Sequence, residues 1–262
     1  PVRGGLIFRR CQLVSRETIA VIEVEIVKRQ AEAWGVRLGN NESEVLLRYA
    51  RQLGDYREAN IVGTRDASRL LIDHVLDSLS CLLSESVRRE RELVDIGSGG
   101  GLPGIPLKIV RPDLALTLVE ATGKKARFLE QVVGELTLDG TEVVNERAET
   151  LGHEQAYRGK YNVATARALA PLSTLCEYCL PLVRKGGCLV AMKAAPDKNE
   201  IEAGRKAAKV LGAEISDFIE VEFIPELPAK RRCLVVMGKV EETPMEYPRR
   251  AGVPKKNPLG NS

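Results

Sequence analysis

The residues of this chain best suited to chemistry lie in one short run, Asp95-Ile96-Gly97-Ser98-Gly99-Gly100-Gly101, continued by Leu102-Pro103-Gly104-Ile105-Pro106. It follows a short apolar stretch, Leu93-Val94, that reads as a buried strand. Glycines without Cβ atoms let the backbone take positive φ and let a ligand come close to main-chain N–H groups. In an open parallel sheet such a turn stands at the carboxyl ends of the strands, where ligands settle. A merely tight turn would not need glycine at Gly97, Gly99, Gly100 and Gly101 together. Gly99, Gly101 and Gly104 satisfy the GxGxxG spacing of dinucleotide sites, which alone is a weak signal. Glu120 stands near the distance at which an acidic residue meets ribose hydroxyls.

Register separates two kinds of nucleotide-like ligand. The strand runs directly into Asp95, and the first turn glycine is Gly97. Asp95-x-Gly97-x-Gly99-x-Gly101 is the pattern of adenosylmethionine-dependent methyltransferases, which receive no pyrophosphate. Pro103 and Pro106 also remove N–H donors from the segment where a pyrophosphate would seek them. The methyl acceptor is narrowed by what is absent. C5 of a pyrimidine needs a thiolate to activate the ring, typically in a Pro-Cys dipeptide, and the sequence has none. Exocyclic amines are usually served by Asn/Asp-Pro-Pro-aromatic after a fourth strand, where this chain reads Ala164-Thr165-Ala166-Arg167-Ala168-Leu169-Ala170-Pro171. A ring nitrogen such as guanine N7 brings its own lone pair. It asks only for in-line placement roughly 3 Å from the methyl and for cations to hold phosphates.

The elements that must position these residues follow from apolar spacing. From about residue 90 to 212 short apolar runs alternate with helical stretches. Strands are expected at Leu93–Ile96, Leu114–Val119, Glu142–Val144, Tyr161–Ala166 and Cys188–Met192, with Gly186-Gly187 as the turn before the last. Helices are expected from Pro103 to Val110, around Phe128 to Leu136, after Pro171, and from Asn199 to Leu211. That alternation implies a Rossmann-like α/β fold with a mostly parallel sheet covered on both faces. Ile215–Ile224 and Cys233–Val240 read as an antiparallel edge hairpin. Residues 1–89 read as a helical extension, with Ile72, Val75, Leu76, Leu79, Leu82 and Leu83 at helical spacing, a shorter stripe at Leu46–Leu53, and a helix over Ile19–Val27. Residues 54–68 read as an irregular linker and 241–262 as a basic, proline-rich extended tail. The expected organisation is thus 1–89, 90–240 and 241–262.

Composition limits the function classes. Hydrophobic residues at 44% and charged residues at 29% suit a globular protein rather than a disordered one. No run reaches a membrane-spanning length and the start lacks a signal-peptide pattern, so a cytoplasmic protein without membrane contact is expected. A net charge of +3 excludes a uniformly basic coat, but Lys230–Ser262 carries eight Lys or Arg against three Glu. That excess fits a polyanionic partner and equally a solvated tail. The cysteines suggest neither a disulfide framework nor a metal site. Cys176-x-x-Cys179 is the single CxxC, and His74 and His153 do not complete a zinc-ligand spacing.

Four segments together carry a resemblance: Asp95–Pro106 (DIGSGGGLPGIP), Gly123–Phe128 (GKKARF), Arg147-Ala148-Glu149 and Thr165-Ala166-Arg167-Ala168. They resemble the RsmG (formerly GidB) family, which methylates guanine N7 in 16S ribosomal RNA. Arg65-Asp66, His74–Leu79 and Tyr247–Leu259 extend the likeness, which covers about residue 31 onward. The resemblance implies a class I methyltransferase using S-adenosylmethionine, with the 30S subunit or its RNA as partner and a monomer as the acting form. It implies that Asp95, Gly97, Gly99, Gly101, Leu102, Ala148, Glu149 and Arg167 meet the cofactor, Glu120 holding the ribose and Ala148-Glu149 flanking the adenine. It further implies that Arg167, Arg147 and Lys193 act at the transferred methyl, and that Arg147, Lys193 and Arg232 contact RNA. The sequence departs from the family at Asn60-Ile61-Val62 and at Lys193-Ala194, where Lys-Gly is usual. A small-molecule methyltransferase, a nicotinamide-dependent reductase and a non-catalytic RNA-assembly factor are the competing readings.

Overall fold

The computed structural model describes residues 16–58, 61, 63–228 and 230–260, with side chains from residue 21. The opening run, Cys11 and Asn60 lie outside the described residues. In chain order the helices are α1 (Arg16–Ala33), α2 (Asn40–Asp55), α3 (Ala67–Leu70), α4 (Asp77–Leu79), α5 (Glu85–Arg89), α6 (Gly104–Val110), α7 (Gly123–Glu135), α8 (Ala148–Leu151), α9 (Leu172–Cys179), α10 (Lys198–Val210) and α11 (Val253–Lys256). The strands are β1 (Glu92–Ile96), β2 (Ala115–Val119), β3 (Thr141–Val144), β4 (Tyr161–Arg167), β5 (Val183–Lys193), β6 (Ala213–Glu220) and β7 (Cys233–Lys239).

The strands form one seven-stranded sheet in the order β3-β2-β1-β4-β5-β7-β6. β1 to β5 are mutually parallel, and β7 runs antiparallel between β5 and β6. The chain reverses its strand order between β1 and β4, the switch point at which open α/β sheets bind ligands. β1 and β2 are buried at every position but the first, as central parallel strands covered on both faces must be. The expected hairpin therefore exists as a pair, with its second strand inside and its first at the edge.

Gly186 and Gly187 are not a turn before β5 but lie within it. Pairing slips from Tyr161↔Val183 to Val163↔Cys188. Gly186 takes φ +82°, and a Cβ on Gly187 would come within 2.4 Å of the Asn162 carbonyl. The glycines thus absorb an irregularity that turn chemistry alone could not distinguish from a reversal.

Two apolar cores cover the sheet. One joins the N-terminal helices to α6 and α7, with Leu46, Leu79, Leu93, Ile105 and Phe128 in a single cluster. The other lies under α8, α9 and α10, with Leu151, Leu175 and Ala207 against Val94 and Ala164. A wholly buried leucine such as Leu46 or Leu79 contributes roughly 1.5–3 kcal/mol, so the helical section is fixed to the sheet face. α2 does this with Leu46, Tyr49, Ala50 and Leu53, one face at helical spacing. α3 starts on the Asp66 carboxylate, which accepts the Arg69 N–H. It continues through a π-helical turn, Leu71–Leu76, into α4.

Residues 241–260 are not an extended tail. They return across α8, α9 and α10, and Arg249 makes an ion pair of 2.6 Å with Glu177, a carboxylate fully buried in α9. Arg158 binds the carbonyls of Gly152, Thr243, Pro244 and Tyr247. Among the described residues no helix is long and apolar enough to cross a membrane. Cys176 and Cys179 are buried in α9, the former with its sulfur 3.2 Å from Met237 Sδ.

Candidate active site

The glycine loop leaves β1 at the centre of the carboxyl edge. Gly97, Gly99 and Gly101 have φ of +68°, +59° and +92°, values that L side chains rarely adopt. At Gly97 there is also no room, because a Cβ would sit 2.7 Å from the Leu169 side chain. The loop is braced from below. Asp95 is fully buried, and its carboxylate accepts the Gly104 N–H at 3.1 Å and the Thr165 hydroxyl at 3.1 Å. Burial outweighs these bonds and pushes the carboxyl up to about 7. It is braced from behind by Tyr49 of α2, whose hydroxyl donates to the Gly100 carbonyl at 2.6 Å. That phenol lies well above its ordinary value through burial and the nearby Asp95 charge.

Beside the loop stands the buried Glu120, the residue after β2. Its Oε2 accepts the Gly99 N–H at 2.9 Å and its Oε1 the Thr122 N–H at 2.7 Å. Asn145, following β3, donates to the Glu120 carbonyl at 2.7 Å. Thus the ends of β1, β2 and β3 meet at Glu120, whose carboxylate has further lone pairs that can accept hydroxyl protons. Ala148 and Glu149 open α8 immediately beyond. Ala148 joins the second core, and the buried Glu149 accepts the Gly252 N–H of the returning C-terminal segment at 2.9 Å. Leu102 is buried in the first core. Arg147 is exposed at the start of α8, its backbone N–H on Glu146.

The other cations gather on the far side of the loop. At the end of β4, Arg167 is only 12% exposed and donates to the His74 carbonyl at 2.9 Å and the Ser78 hydroxyl at 3.2 Å. Asp77, 1% exposed, lies 3.4 Å from Arg167 and 3.1 Å from Arg232, so one buried carboxylate holds both guanidinium groups. The His74 ring nitrogen Nδ1 is 2.7 Å from Arg167 Nη2. Burial and then the Arg167 charge lower the imidazole's pKa, so the neutral ring accepts this bond. Lys193, at the end of β5, pairs with Glu200 at 2.5 Å and donates to the Ala170 carbonyl. Glu200 is set there by the start of α10, where the Asp197 side chain accepts the Glu200 N–H. Arg167, Lys193, Arg232, His74, Asp77 and Glu200 line one cleft of about 480 Å³. Ala168 beside it has φ +51°, a strained value for a residue with a Cβ, and strain of this kind clusters at functional sites.

The structure therefore brings Arg167, Lys193 and Arg232 into one cleft, and Glu120 against the glycine loop. Arg147 stands at the start of α8 and is not among the residues lining that cleft. Sequence reasoning did not single out Tyr49, Asn145, Thr165 or Asp77 for a role. Asp77 carried a signal, a carboxylate and a serine set within the apolar run Ile72–Leu79. The other three act on groups distant in sequence, Tyr49 and Asn145 on backbone carbonyls and Thr165 on the Asp95 carboxylate, and no local spacing pointed to them.

The family model described as rRNA small subunit methyltransferase G (GidB) matches residues 42–229. A ribosomal RNA small subunit methyltransferase G from Rubrobacter xylanophilus is 50% identical over 236 residues, which cover 90% of each chain. Another from a Roseiflexus species is 41% identical over 237 residues, 90% of this chain and 100% of the relative. Among solved structures, a branched-chain polyamine synthase mutein from Thermus thermophilus aligns with a TM-score of 0.52 at 13% identity, over 76% of this chain and 64% of that one, a likeness of fold alone. With half of the aligned residues identical over nine-tenths of each chain, and a family model matched across residues 42–229, the chain belongs to the rRNA small subunit methyltransferase G family.

Proposed function

We propose that this chain transfers the methyl group of S-adenosylmethionine to N7 of a guanine in 16S ribosomal RNA, as a cytoplasmic monomer acting on the 30S subunit or its RNA. The observation that carries the acceptor is the makeup of the Arg167 cleft. Its carboxylates Asp77 and Glu200 are already paired with cations, and the His74 Nδ1 lone pair is engaged by Arg167. Among the described residues of the cleft each carboxylate and the imidazole is thus engaged by a cation, which suits a nucleophile with its own lone pair. Guanine N7 is one; an exocyclic amine, which must lose a proton, is not.

The loop fits the cofactor. Gly97, Gly99 and Gly101 present bare backbone, and Glu120 stands beside Gly99 with lone pairs to spare. When bound there, S-adenosylmethionine supplies an activated methyl on a sulfonium. In this reading Glu120 accepts the ribose hydroxyls, Ala148 and Glu149 flank the adenine, and Leu102 and Asp95 serve by fixing the loop from within. Arg167 orients the target base at the mouth of β4, beside the loop. Lys193 and Arg232 hold RNA phosphates, Lys193 at the end of β5 on the side of the transferred methyl. Arg147 meets the RNA at the opposite rim. The positive charge that forms on the methylated ring is offset by RNA phosphate.

Labelled methyl transfer into isolated 30S subunits, followed by borohydride–aniline cleavage and primer extension, tests the proposal. A single enzyme-dependent stop at a guanine of 16S RNA is the expected result. Methyl incorporation without such a stop would overturn the N7 assignment, and incorporation into small metabolites alone would overturn the RNA one.

A further inference from the structure

The Arg167 cleft does not end at Arg232. Across the run Ala194-Ala195-Pro196 it abuts a second cleft of about 430 Å³, and Arg232 lines both. The second cleft lies farther along the same edge of the sheet, over the carboxyl end of β6 and the start of β7. Its volume falls within the roughly 300–1,000 Å³ common to ligand sites.

Its lining has three properties. The first is an aromatic surface. Phe218 borders the cleft and is 41% exposed, a costly position for a large apolar ring with no purpose. A bulge between Ile215 and Asp217 puts it there. Ile215 packs into the core under α10, whereas Ile219 packs into the opposite one. Strand alternation then turns Phe218 to the α10 side, beside Ile201. Without the extra residue the ring would face away; re-aiming a side chain beside an active site is what bulges commonly do.

The second property is charge. Lys230, Arg231 and Arg232 follow one another in the lining. Lys230 pairs with Asp73 and Arg232 with Asp77, while the exposed Arg231 side chain has no partner among the described residues. Glu220 and Glu222 line the cleft as well, on the backbone paired beside Arg232 and Cys233, and their repulsion of phosphate leaves the unpaired Arg231 as the cation open to a nucleic-acid backbone. The third is direction. The glycine loop at β1, Arg167 at β4, Lys193 at β5 and Arg232 before β7 follow the order of the strands. From β5 to β6 is two strand spacings, roughly 10 Å, room for the next unit of a polynucleotide. A small acceptor would end in the first cleft.

We propose that the second cleft binds the nucleotide adjoining the target guanine in a single-stranded RNA segment, its base stacked on Phe218 and its phosphate held by Arg231 and Arg232. This rests on RNA being the substrate, but not on which atom is methylated. The test uses the full chain and a fluorescein-labelled single-stranded RNA oligonucleotide with 2-aminopurine beside a guanine. Phe218→Ala weakens binding about 5- to 10-fold, the lower end of stacking losses for a half-exposed ring; Phe218→Trp restores both affinity and 2-aminopurine quenching. Arg231→Ala reduces the slope of log affinity against log salt by about 0.7, one phosphate of a single strand. Adenosylmethionine affinity by calorimetry stays at the wild-type value in each variant. Wild-type RNA affinity in Phe218→Ala together with a wild-type salt slope in Arg231→Ala would overturn the proposal, even if rRNA methylation is found. Conversely, the expected losses without methylation of rRNA would sink the proposed reaction and leave the subsite standing. Arg231→Ala, on an exposed side chain, keeps the test decisive should Phe218→Ala fold poorly.

Discussion

At the scale of single residues, buried carboxylates do the organising. Asp77 holds Arg167 and Arg232 at once from a position that solvent does not reach. Breaking a buried pair by removing one charge costs about 3–5 kcal/mol, because the remaining ion is left uncompensated. Asp77→Asn is therefore expected to lower unfolding free energy by about 3 kcal/mol in urea titrations. It should also reduce kcat/KM for RNA at least tenfold while adenosylmethionine affinity is kept. Loss of cofactor affinity instead would show that Asp77 serves the loop and not the arginines. Asp95 gives a pH prediction. Its carboxyl rises from an ordinary value near 3.8 to about 7 because burial disfavours the charged form. The folded state thus binds a proton more tightly than the unfolded one, so this group's contribution to stability is present at low pH and is lost as pH rises through about 7. Unfolding titrations of Asp95→Asn across that range should show a shallower decline with pH than the wild type.

Elements impose the next level of order. The loop is held between β1 and a helix that precedes it by half a hundred residues of chain in sequence: Tyr49 of α2 reaches the Gly100 carbonyl. Tyr49→Phe keeps the ring in its fully buried site but leaves that carbonyl without its donor, which costs about 1–2 kcal/mol. Denaturant unfolding should show that loss, and calorimetry a several-fold weaker affinity for adenosylmethionine. Unchanged cofactor affinity would mean that the loop keeps its shape without α2. The π-helical turn Leu71–Leu76 has a comparable role for the second cluster. It carries the His74 carbonyl to Arg167, and α4 directly after it delivers Asp77 and Ser78. Such turns are rare and are often found at functional sites.

For the whole molecule, the C-terminal segment closes the structure. Arg249 is bound to Glu177 through its backbone N–H, Nε and Nη2, and Gly252 caps Glu149 at the start of α8. The segment therefore links α9 to α8, while Arg250, Lys255 and Lys256 remain exposed on its outer surface. Arg249→Ala leaves the Glu177 charge buried and should lower stability by about 3 kcal/mol. Hydrogen exchange should then show lost protection of the Tyr247, Val253 and Lys256 amides, which are bonded within the segment. Protection equal to that of the wild type would mean that the segment is held by apolar packing and not by this ion pair.

The sequence by itself determined the α/β alternation and the glycine loop, because local spacing and register carry that information. β1 and β2 are legible as continuous apolar runs, and Asp95-x-Gly97-x-Gly99 as a loop that needs positive φ. It also marked Arg167, Lys193 and Arg232, but not that one cleft holds them together. Only the tertiary structure decided which carboxylate restrains which cation, since Asp77 and Arg232 are brought together across 155 positions of chain. It likewise turned Gly186-Gly187 from a reversal into a strand irregularity, and a tail that looked solvated into a packed segment. Composition describes only how charged residues 241–262 are. Whether Arg249 is solvated depended on a buried Glu177 that a helical pattern had hidden among Leu175, Cys176 and Cys179.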